Sequence, residues 1–192
     1  YPTTNVKIVG THSGISIGED GPSQMSVEDI SLACSLPGFT VISPADEVAA
    51  AALVKVSAEV FGPMFIRTGR SKVPVIYAAD QKFEIGKAVM LNEGTDVSIF
   101  ATGHLVWKAI EACEMLEEKG ISAEVINIHT IKPLDAEAVL KSVRKTGCAV
   151  TCEEHNMHGG LGDAIAHVLT ANNPAPQEYV AVKDTFGESG TP

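Results

Sequence analysis

The chain has 192 residues, a formal net charge of −10, and 45% hydrophobic against 20% charged side chains. That apolar content supports a packed core and excludes a disordered polar chain. The acidic balance argues against nucleic acid or an anionic membrane as partner, since both need a basic face, and no apolar run reaches the roughly 20 residues that cross a bilayer.

In chain order, Val6–Val9 reads as an apolar strand, and residues 10–26 (GTHSGISIGEDGPSQMS) follow as a polar stretch. It sets His12, Glu19 and Asp20 among Gly10, Gly14, Gly18 and Gly21. Glycine permits backbone shapes that bring amides close to a ligand, and strand-to-helix loops of open α/β sheets are where ligands bind. On composition alone the same loop is equally a solvated surface turn. A helix is expected from near Ser26 as N-cap to Cys34, ended by Pro37-Gly38, then a strand over Phe39–Ser43. Ser43-Pro44-Ala45-Asp46-Glu47 opens an alanine-rich helix to about Val60, Gly62-Pro63 breaks it, and Met64–Arg67 forms a third strand. Strand, helix, strand, helix, strand is the pattern of a parallel sheet covered by helices.

Residues 67–72 (RTGRSK) place three of the chain's 14 Lys and Arg residues just after a strand. Arginine grips phosphate through a planar fork of donors, so this is the natural anion clamp of an acidic chain, or else an ordinary cationic turn. Residues 78–94 change character and read as a linker with an edge strand around Phe83-Glu84-Ile85. A second series then alternates strands at 97–103, 123–128, 148–152 and 179–182 with helices at 104–119, 134–145 and 162–170. The fold class is α/β, two successive units (1–78 and 79–192) with mostly parallel sheets flanked by helices.

Residues 153–162 (EEHNMHGGLG) join a strand to a helix. His155 and His158 with a carboxylate could hold a metal, Gly159–Gly162 could cradle a phosphate at the helix N-terminus, and a tight turn explains both without a ligand. His104, His129 and His167 read as structural. The four cysteines form no metal or disulfide framework; Cys148 and Cys152, on one strand, would lie roughly 13 Å apart. Tyr1 is not a methionine and a strand follows closely, so the chain reads as part of something longer, or processed there. No signal-peptide pattern opens it, and the expected location is cytoplasmic.

The loop GTHSGISIGEDGPSQ (10–24) resembles the transketolase signature. ISPAD (42–46), FIRTGR (65–70), IKPLD (131–135) and EEHN (153–156) with GGLG (159–162) match in order and spacing, so the likeness runs nearly the length of the chain, to the C-terminal section or subunit of a transketolase. It implies the later part of a pyrimidine-binding domain to residue 78, then the transketolase C-terminal domain. It implies transfer of a two-carbon ketol unit from a ketose phosphate to an aldose phosphate, with thiamine diphosphate and a divalent metal, usually magnesium. By position, His12 and Arg70 would hold the sugar phosphate and Asp20 the substrate hydroxyl beside the reacting carbon, with Asp20 and His12 as the catalytic pair. Gln24 stands where many transketolases carry a histidine, and glutamine cannot exchange a proton near neutral pH.

The family's cofactor-activating glutamate, the aromatic wall of the pyrimidine pocket and the Gly-Asp-Gly…Asn metal and diphosphate motif would all precede Tyr1. No cofactor or metal ligands are therefore expected within this chain, which alone should be silent. The implied partner is an N-terminal section or subunit, in a homodimer or heterotetramer. The rival expectations are the tail of another thiamine enzyme (a deoxyxylulose-phosphate synthase or a 2-oxo acid dehydrogenase beta subunit) and a non-catalytic assembly module of the same fold.

Overall fold

Short β-branched runs alternate with helices in the computed structural model, which describes residues 3–191. The order is β1 (Lys7–Gly10), α1 (Asp29–Ser35), β2 (Thr40–Ile42), α2 (Glu47–Glu59), β3 (Met64–Arg67), β4 (Val89–Asn92), β5 (Val97–Ala101), α3 (Leu105–Glu117), β6 (Ala123–Asn127), β7 (Thr130–Lys132), α4 (Ala136–Thr146), β8 (Ala149–Asn156), α5 (Leu161–Asn172) and β9 (Gln177–Val182). Two sheets result, one ordered β1-β3-β2-β7 and the other β4-β6-β5-β8-β9. β1, β3 and β2 run parallel, as do β6, β5, β8 and β9, while β7 and β4 close one edge of each sheet antiparallel. The α/β class and the mostly parallel sheets are as the alternation of elements implies.

Three local expectations are corrected. The edge strand is Val89–Asn92, not residues 83–85: Phe83 is buried edge-on against Tyr77 (4.9 Å between centroids) and His129 (5.3 Å), so it is anchored in the core and free of any ladder. The first helix starts at Asp29, because Ser26 is drawn into a bridge with Ser13 and its carbonyl accepts from Gly14 N (2.8 Å) and Arg67 Nη2 (3.1 Å). β7 was not foreseen; three residues with a register shift against β2 are too short to show an alternation.

The helix starts that matter most are held by carboxylates. Asp46 caps α2 through Ala49 N (2.8 Å), and its other oxygen takes Ile76 N (2.8 Å) and Tyr77 N (3.1 Å), which pins the start of the linker. Asp135 likewise caps α4 at Ala138 N (3.1 Å) and accepts from Ala88 N (3.0 Å) at the linker's end. The two sheets share their cores. Ile42, Leu53 and Ile66 of the first pack with Ile99, Val106 and Val125 of the second, and Ile30 and Val41 pack with Phe100, Ile126 and Leu161. Burial of such side chains stabilises by about 1.5–3 kcal/mol each, so the junction itself contributes to stability.

Candidate functional site

Parallel pairing of β1 with β3 sets Gly10 beside Arg67, so the segments leaving both strands emerge together at one end of the sheet. Backbone and hydroxyl bonds then sew them: Thr68 N to Gly10 O (2.8 Å), Ser13 Oγ to Thr68 O (2.8 Å), Ser71 Oγ to Ser16 O and Arg70 Nη1 to Ile17 O (3.3 Å). Arg70 Nη1 also donates to the Asp20 carboxylate, and each side chain of this ion pair is 46% exposed. Ile17, Glu19, Asp20, Arg70 and Ser71 line a cleft of about 360 Å³ there. Among the described residues only Nη1 of Arg70 is engaged by protein, so the rest of its donor fork faces the cleft. Lys72 lies around the corner in a second cleft of about 330 Å³ with Asp46, Thr68 and His104.

His12 and Gln24 stand apart from that pair. The His12 ring is exposed and bonds Thr11 Oγ1 (3.0 Å), with no bond to Asp20 or Arg70 among the described residues. Its φ of 62° lies in the left-handed region, a strained setting for a residue other than glycine that here turns the chain out of β1. Gln24 ends a single 3₁₀ turn, Pro22–Gln24, where its amide bonds Gly21 O (3.1 Å) and its side chain faces solvent.

Beneath the loops lies a buried polar junction that sequence reasoning missed. Arg67, expected as part of the clamp, is 5% exposed and fully committed: Nε to Asp29 (2.9 and 3.0 Å), Nη2 to Ser26 O and to Glu154 O (2.8 Å). Such a pair in a desolvated setting holds only because its donors are satisfied. Beside it Ser16 Oγ lies 3.1 Å from Glu154 Oε2 and 3.2 Å from His104 Nδ1. Burial pushes the His104 imidazole below its ordinary pKa, against the pull of Glu154 3.6 Å away. Carboxylate and serine meet the same ring nitrogen, so this is no nucleophile relay, in which base and orienting acid need opposite nitrogens.

Residues 86–192 match the family model described as the transketolase C-terminal domain, and residues 2–75 that of the transketolase pyrimidine binding domain. The chain belongs to the transketolase family. The 6-deoxy-6-sulfo-D-fructose transketolase subunit SqwH of Clostridium sp. (strain MSTE9) is 44% identical over 190 residues, covering 99% of this chain and 59% of that protein. An apulose-4-phosphate transketolase subunit of Phocaeicola vulgatus is 38% identical over 185 residues, covering 96% and 59%. A split-gene transketolase solved as an inactive beta4 tetramer superposes with a TM-score of 0.93 at 46% identity, over 98% of this chain and 60% of that one. The chain thus spans about 60% of the length of these relatives. Transketolase of Campylobacter jejuni shares the fold, with a TM-score of 0.73 at 20% identity.

In this transketolase chain residues 153–156 extend β8 past the expected end at Cys152, and only 157–160 turn into α5, a turn closed from beneath by Glu153. Glu153 accepts from Leu161 N (2.7 Å) and Gly162 N (2.8 Å), occupying the α5 N-terminus that a phosphate would need, and its carboxylate fills the space a Cβ on Gly160 would take. Burial pushes Glu153 up to about 7 in spite of those two amides. Both nitrogens of the buried His155 are likewise spent, Nδ1 on Asn156 O (2.7 Å) and Nε2 on Ser31 N (3.3 Å). Of the three readings of this stretch, these contacts favour the tight turn.

Proposed function

We propose that this chain is the C-terminal part of a thiamine-diphosphate-dependent transketolase that moves a two-carbon ketol unit from a ketose phosphate to an aldose phosphate. The observation that carries the reading is the Asp20–Arg70 pair over its open cleft, supplied by two segments whose order matches the family throughout. A guanidinium with free donors suits a phosphate, and an exposed carboxylate suits a sugar hydroxyl, so substrate would divide the pair between them. His12 at the rim of the same sheet end would add a donor to the phosphate, and Gln24 a neutral contact at the opening.

Thiamine diphosphate would supply the carbanion chemistry when bound. The residues described here do not fit it. Among them no group of three or more His, Cys, Asp or Glu is set to hold a metal ion, and the helix amides of α5 are already taken by Glu153. Cofactor and divalent metal, magnesium by family likeness, would be held by the N-terminal section or subunit that the likeness implies. A further feature supports that partner: β1 sits at a sheet edge with Ile8 and Val9, on opposite faces, each about half exposed. Such a strand suits the interior of a larger sheet. The proposed assembly is a homodimer or heterotetramer in the cytoplasm.

The test compares the chain alone with the complete enzyme. This reading expects no ketol transfer from the chain with added thiamine diphosphate and magnesium, and turnover of a ketose phosphate once the N-terminal section is restored. Turnover by the isolated chain, or use of pyruvate in place of ketose phosphate by the complete enzyme, would sink it.

A further inference from the structure

The strand order β4-β6-β5-β8-β9 changes direction beside β5, with β6 on one side and β8 on the other. In an open α/β sheet the crevice at such a switch, outside the carboxyl ends of the two strands, is where a ligand would be expected. Here it is occupied by the chain itself. His104, just past β5, and Glu154, near the end of β8, flank it, and only about 10 Å³ remains among Ser13, Ser43, Arg67, Gly69, His104 and Glu154, too little for a small-molecule ligand.

What fills it are the two segments that carry the cleft residues. Glu154 lies so close under Gly14 that a Cβ there would strike its carboxylate, and the His104 ring leaves no room for a Cβ on Gly69, the residue before Arg70. Ser16, between them, bonds both. A third contact comes from the end of the chain. After a turn at Asp184 (φ 51°) the tail crosses back, with Gly187 against Met25 and Ser189 against Gly21, beside Asp20.

We propose that the second unit serves as a brace: His104 and Glu154 at its switch crevice, with tail residues Gly187 and Ser189, are positioning residues that fix the Gly10–Gln24 loop and the Thr68–Ser71 turn, and through them Asp20 and Arg70. The crevice that would otherwise take a ligand takes the first unit's ligand loops instead. His104 also lines the second cleft beside Lys72, and the role proposed for it and for Glu154 is exercised through the loops they hold. This rests on the proposed ketol-transfer reading for its kinetic consequence, and on geometry alone for its structural one.

The experiment uses the complete enzyme carrying Glu154→Gln, which keeps the side chain's size, or His104→Gln. The expected result is a KM for a ketose-phosphate donor raised about tenfold with kcat falling by less, and a smaller rise in KM for a ketol donor lacking phosphate, which meets Asp20 and not Arg70. Hydrogen exchange of residues 13–24 and 68–71 should quicken by about tenfold, with β5 and β8 protected as before. A merely structural role would lower melting temperature and the active fraction without moving KM. Unchanged KM and unchanged exchange in a folded variant would overturn the brace. Should the wild-type complete enzyme transfer no ketol unit, the exchange rates still decide the brace while the proposed function alone fails.

Discussion

Two arginines three positions apart have opposite fates. Arg67 is buried against Asp29 and two carbonyls, and Arg70 stands half exposed against Asp20. Truncating Arg67 strands the Asp29 carboxylate and the carbonyl of Glu154, and breaking a buried pair of this kind costs about 3–5 kcal/mol. Urea unfolding of Arg67→Ala should therefore show a loss of that size; a loss below about 1 kcal/mol would mean the pair is solvated. The exposed Asp20–Arg70 pair contributes little to folding, about 0–1 kcal/mol, so its variants should melt near wild type. Asp20→Ala in the complete enzyme is expected to lower turnover at least tenfold, and unchanged turnover would show that the loop does not meet substrate. The sequence marked 67–72 as a cationic cluster but could not say which arginine faces solvent. Strand alternation places Arg67 on one face, and only the arrival of Asp29 and Glu154 from elsewhere decides that this face is buried.

At the scale of elements, glycine and proline punctuation with helical periodicity located the five α-helices of the described residues, since each buries one face, but not the 3₁₀ turn Pro22–Gln24, which buries nothing. The misses are where tertiary contacts overrule local pattern. Phe83 packs on His129 instead of pairing, Ser26 bridges Ser13 instead of capping α1, and β7 borrows β2 as its template. The turn before α5 left ligand and tight-turn readings open because its glycines make room, and at Gly160 what fills that room is Glu153. That carboxyl carries a pH signature. Its folded pKa, about 7, lies above the ordinary value of 4.5, so the folded chain binds the proton more tightly than the unfolded one. Its contribution to stability is present below pH 4.5 and is lost as pH rises through 7, by an amount on the order of 3 kcal/mol. The groups around it are Arg67, Asp163 and His155, so the clean readout is a difference. Unfolding free energy of wild type minus Glu153→Gln should fall across pH 4.5 to 7, and a flat difference would show Glu153 to be ionised throughout.

For the whole molecule, the likeness to transketolase was legible because its segments are collinear over nearly the full length, whereas the way the two units share both hydrophobic clusters was not. Composition marks a boundary near residue 78, yet β7 of the later unit joins the first sheet, and both hydrophobic clusters draw on both units. Folding is accordingly expected to be a single cooperative event for the described residues. Thermal unfolding followed by tryptophan fluorescence, reporting on Trp107 in α3, and by far-ultraviolet dichroism should coincide, and two separated transitions would show independent units. The tail segment over Gly21 extends the same logic to the cleft, since Gly187 and Ser189 pack on the loop that carries Asp20.

The central claim is that Arg70 grips the phosphate of a sugar at the cleft it shares with Asp20. Steady-state kinetics of Arg70→Ala in the complete enzyme test it most directly. The account predicts a KM for the ketose phosphate raised about 10–100-fold at near-normal melting temperature, the loss of a charge-assisted contact of about 1.5–3 kcal/mol. A KM indistinguishable from wild type would contradict it.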